Sequence, residues 1–313
     1  MVRDVRELPP AQAVELEAPK TPALVAIGNA LLSFARRKPL GAIGAFILIL
    51  AVLMAVLAPV LATFPPKEVH VTSKYAAPGA EAATAGGKTY WLGSDQLGRD
   101  TWSRLVYGAR ISLYVSLISV GIGVTIGALI GVISAYFGGV FDLIVQRLVD
   151  AMMAFPAIIL ALAIVAVAGA SLQNVVLALV IILIPGSSRI VRSQALAIKE
   201  RDFILASRSI GAGDWRIIAR HVIPNCMAPY IVFATANLGY AIVVEAALSF
   251  LGVGTPPDIP SWGGMLSFAG QRYVEVSPWL VVFPSIAVSI AVFGFNLLGD
   301  ALRDVLDPRL RGS

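Results

Sequence analysis

The sequence predicts an all-α polytopic membrane protein with six transmembrane helices, and three observations carry that prediction. Of 313 residues, 58% are hydrophobic and only 14% charged, with a mean hydropathy of +0.82. A water-soluble domain so poor in charge would expose large apolar patches. Several apolar runs reach the roughly 20 residues that a helix needs to cross a bilayer. The basic residues gather in segments flanking those runs, so the net charge of +5 carries no nucleic-acid signal. Cys226 is the single cysteine, which excludes an intrachain disulfide and a cysteine-cluster metal site. The two histidines, His70 and His221, lack the HExxH spacing, so no metal site and no catalytic residue is expected.

The elements follow in order. Residues 1–38 form a Pro-, Ala- and Glu-rich tail with a short surface helix over 23–34, and no signal-peptide pattern opens the chain. The first span covers 39–63. It follows Arg36, Arg37 and Lys38, three cations that argue for a cytoplasmic N-terminus. Residues 64–110 read as an external loop and pre-helix segment, flexible through AAPGAEAATAGGKTYW. Gly87-Lys88-Thr89 grazes a phosphate-binding loop, but Ala82 stands where that motif requires glycine and no buried strand precedes it.

The second span runs over 111–137 and opens a core that extends to residue 300. Ser119, Gly123, Gly127, Gly131 and Ala135 recur every four residues, so Gly123, Gly127 and Gly131 are read as a close helix contact. GIGVTIG within it lacks the spacing of a dinucleotide fingerprint. Gly138-Gly139 makes a turn. The third span is placed at 150–168 with Pro156 near its start, and a short uncharged connection sends the fourth straight back from residue 174. The apolar part of the fourth ends at Pro185, and the helix is expected to continue through SSRIVRS beyond the lipid.

Next comes the largest basic excess in the chain. Arg189, Arg192, Lys199, Arg201, Arg208, Arg216 and Arg220 face only Glu200, Asp202 and Asp214, which assigns this loop to the cytoplasm. A cytoplasmic start plus four crossings gives the same answer. Over 199–225 the loop reads as two short helices around a glycine turn. Asp202 is expected to cap the first, whose Phe203, Ala206, Ser207 and Ile210 share one face. Gly211-Ala212-Gly213 breaks it. Asp214 is expected to cap the second, where Trp215, Ile218, Ala219 and Val222 repeat the spacing until Pro224 stops the helix. The small middle of the first face suits close approach by another body, so the segment reads as a docking knob. The plainer reading is an amphipathic loop resting on lipid headgroups.

The fifth span, 228–251, carries Asn237 and Glu245, the candidates for lining a translocation path. A glutamate at membrane depth faces a bundle interior or a wet cavity, and a structural hydrogen bond between helices is the competing account. An external loop leads to the sixth span at 279–298 and a basic tail over 301–313. Arg99, Arg104 and Arg110, on the external side of the second span, run against the charge rule.

Four segments, RRKPLGAIGAFILIL, WLGSDQLGRDTWSRLVYGARISL, EAALSFLGVGTPPDIPSWGGML and GDALRDVLDPRLR, resemble the C-type permease subunits of bacterial ABC importers for dipeptides, oligopeptides and nickel. The resemblance covers about Arg36 to Arg311 and implies a type I ABC importer permease fold in the bacterial inner membrane, with both termini cytoplasmic. It also gives the 199–225 loop its meaning as the coupling helix. In the family's Glu-Ala-Ala-x3-Gly pattern, Gly211 fixes the glycine, the triplet falls on Leu205, Ala206 and Ser207, and the ending on Ile223-Pro224. Leu205 replaces the usual glutamate and Ser207 an alanine. The implied partners are a second homologous permease, one or two ATP-binding subunits at this loop, an external substrate-binding protein and the lipid bilayer. ATP and magnesium belong to the partner subunits, and no cofactor is expected in this chain.

Peptide is the implied cargo, with nickel or another small solute as the alternative. A secondary transporter would need ion-coupling carboxylates in the membrane, where Glu245 is the one good candidate, and no inverted repeat is visible. An intramembrane enzyme would need a nucleophile and base at membrane depth, and none is visible.

Overall fold

The computed structural model describes residues 33–82, 87–267 and 275–306. The expected helix over 23–34 falls almost wholly outside these residues, and so does the basic end of the tail. The chain divides into two units, 1–39 and 40–313. In the first, the described residues make a helical turn in which Lys38 N–H donates to Phe34 O at 2.8 Å.

The second unit is a helical bundle. Its long elements are α1 (Pro39–Val56), α2 (Thr101–Phe137), α3 (Gly139–Met153), α4 (Ala157–Ala168) and α5 (Leu172–Lys199). Two short helices, α6 (Asp202–Ser209) and α7 (Asp214–Ile217), precede α8 (Met227–Phe250), the single turn α9 (Trp262–Met265) and α10 (Trp279–Leu306). Five of these, α1, α2, α5, α8 and α10, are each long and apolar enough to cross a membrane. Among the described residues, a sixth crossing could be made only by α3 and α4 together, and these two meet at a bend of 87°. A 12-residue α4 is only about 18 Å long, well short of a bilayer core. This corrects the continuous span placed at 150–168. Pro156 has extended backbone and excludes its predecessor from helical geometry, so the chain must turn there.

Two other boundaries move. The helix of the second span begins ten residues early, at Thr101, because Asp100 accepts from Ser103 N–H and caps it there. The last helix continues to Leu306, into the segment assigned to the tail. The 64–110 segment is ordered where it is described. Ala80–Glu81 and Thr89–Tyr90 pair as antiparallel β1 and β2, and Phe64 stacks on buried Tyr90 at 5.0 Å. Lys88 lies 5.4 Å above the Phe64 ring and donates to Thr63 O, so the phosphate-loop lookalike is a loop clasp.

The tightest pairing is α2 against α5. A Cβ on Gly123 would stand 2.7 Å from Val180 O, and Cβ atoms on Gly127 and Gly131 would collide with the carbonyls of Ile184 and Ser188. The missing side chains let the two backbones touch, the usual source of cohesion in lipid. Ser187 Oγ donates to Val124 O at 2.6 Å across the same seam. Ser116 Oγ donates to Leu238 O at 2.7 Å and ties α2 to α8. Buried Trp262 in α9 plugs the other side of α2, its Nε1 donating to Leu105 O at 2.9 Å.

The arginines that run against the charge rule are absorbed by structure. Arg99 binds Asp95, while Arg110 donates to Ala55 O and, at the edge of range, to Val56 O. Arg104 reaches the carbonyls of Pro66 and Pro257.

Candidate functional site

The α6–α7 turn stands at the Phe137 end of α2. Apolar spacing makes α6 a helix of two turns, and its end is closed by a Schellman pair. Gly211 has φ +80°, Gly211 N–H donates to Arg208 O at 2.9 Å and Ala212 N–H to Ser207 O at 3.1 Å. The expected aspartate caps are not formed. Arg201 and Gly213 occupy the cap positions, with Asp202 and Asp214 in the first turns, where their charge favours the helix N-termini. Asp214 is used differently: its Oδ1 accepts from Tyr136 Oη at 2.7 Å, and Arg208 lies 5.3 Å above the Tyr136 ring.

Burial divides the turn into two faces. Ile204, Ile217, Ile218 and Val222 are buried in one core with Val132 and Ala135 of α2 and Val191, Ala195 and Ile198 of α5. On the outside, Phe203, Leu205, Ala206, Ile210, Gly211 and Trp215 are exposed, Ile210 at 86% and Trp215 at 65%; Ser207 is half-buried. Burying large aliphatic side chains contributes roughly 1.5–3 kcal/mol each. The inner face thus fixes the turn to the ends of two long helices, while the outer face is left for another body. The sequence pattern found the outer face of α6 but missed Ile204 and Ile217, which hold it. Ile204 stands one residue out of step with Phe203 on the exposed face, and that offset was the available signal.

The second helix departs further from expectation. Pro224 does not stop it. Residues Ile218–Val222 form a π turn, with Ile223 N–H donating to Ile218 O, and the helical course continues through Ile223–Asn225 into α8. The widened turn absorbs the N–H that proline lacks, and Asn225 Nδ2 supplies a donor to His221 O at 2.7 Å. The extra residue rotates the faces, so Trp215 and Ala219 are exposed while Ile218 and Val222 are buried. Pro224 itself lies exposed beyond the turn.

The path candidates separate. Glu245 is fully buried inside the subunit, between α8 and α9 and not on an open surface of the chain. Its Oε1 accepts from Ser249 Oγ at 3.0 Å, and a Cβ on Gly263 would sit 3.0 Å from its Oε2. Glycine at 263 lets the α9 backbone settle on α8 and close over the carboxyl. Asn237 is half-buried, donates to Phe233 O at 2.8 Å, and lines a cleft of about 370 Å³ with Met153, Pro156, Gly186, Phe233 and Tyr240.

Three polar stitches brace the turn's supporting helices. Arg192 of α5 grips Asp142 of α3 with Nε at 2.8 Å and Nη2 at 2.5 Å, and Arg189 reaches Asp150 at 2.6 Å. Lys199 Nζ donates to Ala135 O at 3.3 Å, which closes the end of α5 onto α2.

Residues 123–312 match the family described as "binding-protein-dependent transport system inner membrane component". Residues 33–78 match the "N-terminal TM domain of oligopeptide transport permease C". A putative peptide transport system permease protein of Brucella suis is 44% identical over 269 residues, spanning 86% of this chain and 88% of the relative. The dipeptide transport system permease protein DppC of Alkalihalophilus pseudofirmus is 40% identical over 276 residues, 88% of each chain. A glutathione transport system permease protein of Pectobacterium atrosepticum is 44% identical over 222 residues, 71% of this chain and 73% of the relative. Among solved structures, the MetNI methionine ABC transporter in an inward-facing conformation aligns with TM-score 0.53 at 22% identity. The alignment covers 65% of this chain and 96% of that one.

Proposed function

The chain belongs to the family of binding-protein-dependent transport system inner membrane components, and on that premise we propose that it carries peptides through the membrane under the drive of separate ATPases. It is a multi-pass inner-membrane permease subunit of an ABC importer, working with ATPase and substrate-binding partners. A second homologous permease completes the path in this reading. One or two ATP-binding subunits, holding ATP and magnesium, seat on the exposed face of α6. Both termini lie in the cytoplasm, on the side of the basic 189–220 segment.

One observation carries the mechanism: the α6–α7 turn is rigidly packed on its inner face and apolar and exposed on its outer face. A partner that moves Phe203, Leu205 and Ile210 must therefore move α2 and α5 with them. Closure of the ATPases becomes rigid-body displacement of the two helices that share the glycine seam. Leu205 in the place of the family's glutamate makes that contact apolar rather than ionic.

Uptake tests the cargo. Cells lacking this gene should lose uptake of labelled dipeptide and keep uptake of nickel, and the gene in trans should restore the loss. Intact dipeptide uptake with lost nickel uptake would reassign the cargo. Orientation is tested by cysteine labelling in a Cys226→Ser background: Ser209→Cys should be protected from an impermeant reagent in intact cells, and labelling from outside would reverse the topology.

A further inference from the structure

At the Arg104 end of α2, some 48 Å along the helix from Tyr136 at the rise of an α-helix, the loops line a cavity of about 110 Å³ whose wall is part polar and part apolar, with Met265 and Leu280 on the apolar part. Asp95, Gln96, Arg99, Thr101, Arg104 and Pro257 wall it. Two guanidiniums, Arg99 and Arg104, and one carboxylate, Asp95, line it. Arg99 and Arg104 are 7% and 4% exposed and share one carboxylate, Asp95 Oδ2, at 2.6 and 3.9 Å from their Nε atoms. Two further carboxylates stand near but do not line the cavity. Asp258 is bound to Lys67 at 2.9 Å, and Asp100 Oδ2 accepts from Ser103 N–H, Ser103 Oγ and Thr63 Oγ1.

The cavity also holds surplus donors. A guanidinium carries five N–H groups. Besides its bond to Asp95, Arg99 gives one to Pro257 O at 3.1 Å, and Arg104 gives one each to Pro66 O and Pro257 O at 3.2 and 3.3 Å. Thr101 is fully buried and its Oγ1 has no hydrogen-bond partner. Gln96, half-buried, adds an amide. A buried donor without an acceptor is costly, and buried positive charge more so. Paired guanidiniums, a hydroxyl and an amide around a space of this size match a planar anion with two acceptor oxygens.

We propose that this cavity is a binding site for one small carboxylate, held by Arg99, Arg104, Thr101 and Gln96. The carboxylate comes either from the C-terminus of a transported peptide or from a free organic acid. Only the first source rests on the peptide-permease reading, and the site stands or falls without it.

The test is thermal unfolding of the purified transporter complex in detergent, titrated with potassium acetate or with its neutral isostere acetamide. Acetate should raise Tm along a saturating curve, as a ligand of the folded state does, and acetamide should not. Thr101→Val should weaken the apparent acetate affinity about tenfold, as expected for the loss of one charge-assisted hydrogen bond. Gln96→Leu, at a half-buried position, should weaken it in the same direction should the threonine variant fail to fold. Equal response to acetate and acetamide, or an acetate response unchanged in a folded variant, would mean that the cavity holds water alone and would overturn the site. A dipeptide and its C-terminal amide separate the sources. A rise with the free acid alone identifies the peptide carboxylate, whereas a rise with acetate and with neither peptide identifies a free organic acid.

Discussion

Tyr136 Oη donates to Asp214 Oδ1 at 2.7 Å, which ties the last turn of α2 to the first turn of α7. This bond joins the longest helix of the bundle to the segment expected to meet the ATPase. Tyr136→Phe keeps the ring and its packing and removes only the bond. The ATPase subunits should still copurify, while substrate-stimulated ATP hydrolysis should fall about fivefold, the size of one modest hydrogen bond. Unchanged stimulation would show that apolar packing alone carries the motion.

The α2–α5 seam should tolerate no side chain. Gly127→Leu would drive a Cβ into Ile184 O and cost several kcal/mol. Recovery of assembled complex should collapse. Gly121→Leu, on the same helix but with nothing within 4 Å of its Cβ, is the matched control and should leave the yield near wild type.

Asp142 and Arg192 should couple energetically. Their side chains are only 13% and 29% exposed and the contact is bidentate, so removal of either should destabilise by about 2 kcal/mol. A double-mutant cycle with Asp142→Ala and Arg192→Ala, read by thermal unfolding, should give a coupling of about 1 kcal/mol or more. Additive losses would mean that the pair does not brace α3.

Cys226, the one thiol, should be nearly inert. It is 3% exposed and burial pushes its pKa up to about 11. The thiolate is the reactive form, so at pH 7 almost none is present, and each unit of pH up to 11 should raise its reactivity about tenfold. Maleimide labelling of the native complex at pH 7 should therefore be slow and should become fast in denaturant. Rapid labelling of the native protein would contradict the packing of Val222 and Cys226 in one core.

Much of this was legible from residue spacing. The four-residue ladder of Ser119 to Ala135 marks a helix seam whatever its partner, because only small residues permit the approach. Gly211 likewise announces a helix end. Features made by tertiary contacts were not legible. Pro224 reads as a stop until the π turn of 218–222 absorbs its missing N–H. Pro156 marks a break in the helix, yet nothing local sets the size of the bend at 87°. Glu245 in an apolar run signals a polar surrounding but not which one, since Ser249 and Gly263 close over it only in the folded chain. Residues 64–110 look like a flexible loop because the aromatic contact of Phe64 with Tyr90 spans a stretch rich in Gly, Ala and Pro.

The coupling role of α6 has the most direct test. Ala206 is exposed at the centre of the outer face, so Ala206→Trp leaves the bundle intact and obstructs only what docks there. Gly211→Val is the companion. Its Cβ would meet nothing within 4 Å, and the change acts only by straining a φ of +80°, roughly 1–3 kcal/mol. Leu205→Glu and Ser207→Ala, which move toward the family pattern, should be near silent. The measurement is substrate-stimulated ATPase activity of the reconstituted complex. Loss of stimulation with Ala206→Trp, in a permease still inserted in the membrane, is the predicted result; full stimulation would place the coupling contact elsewhere in the chain.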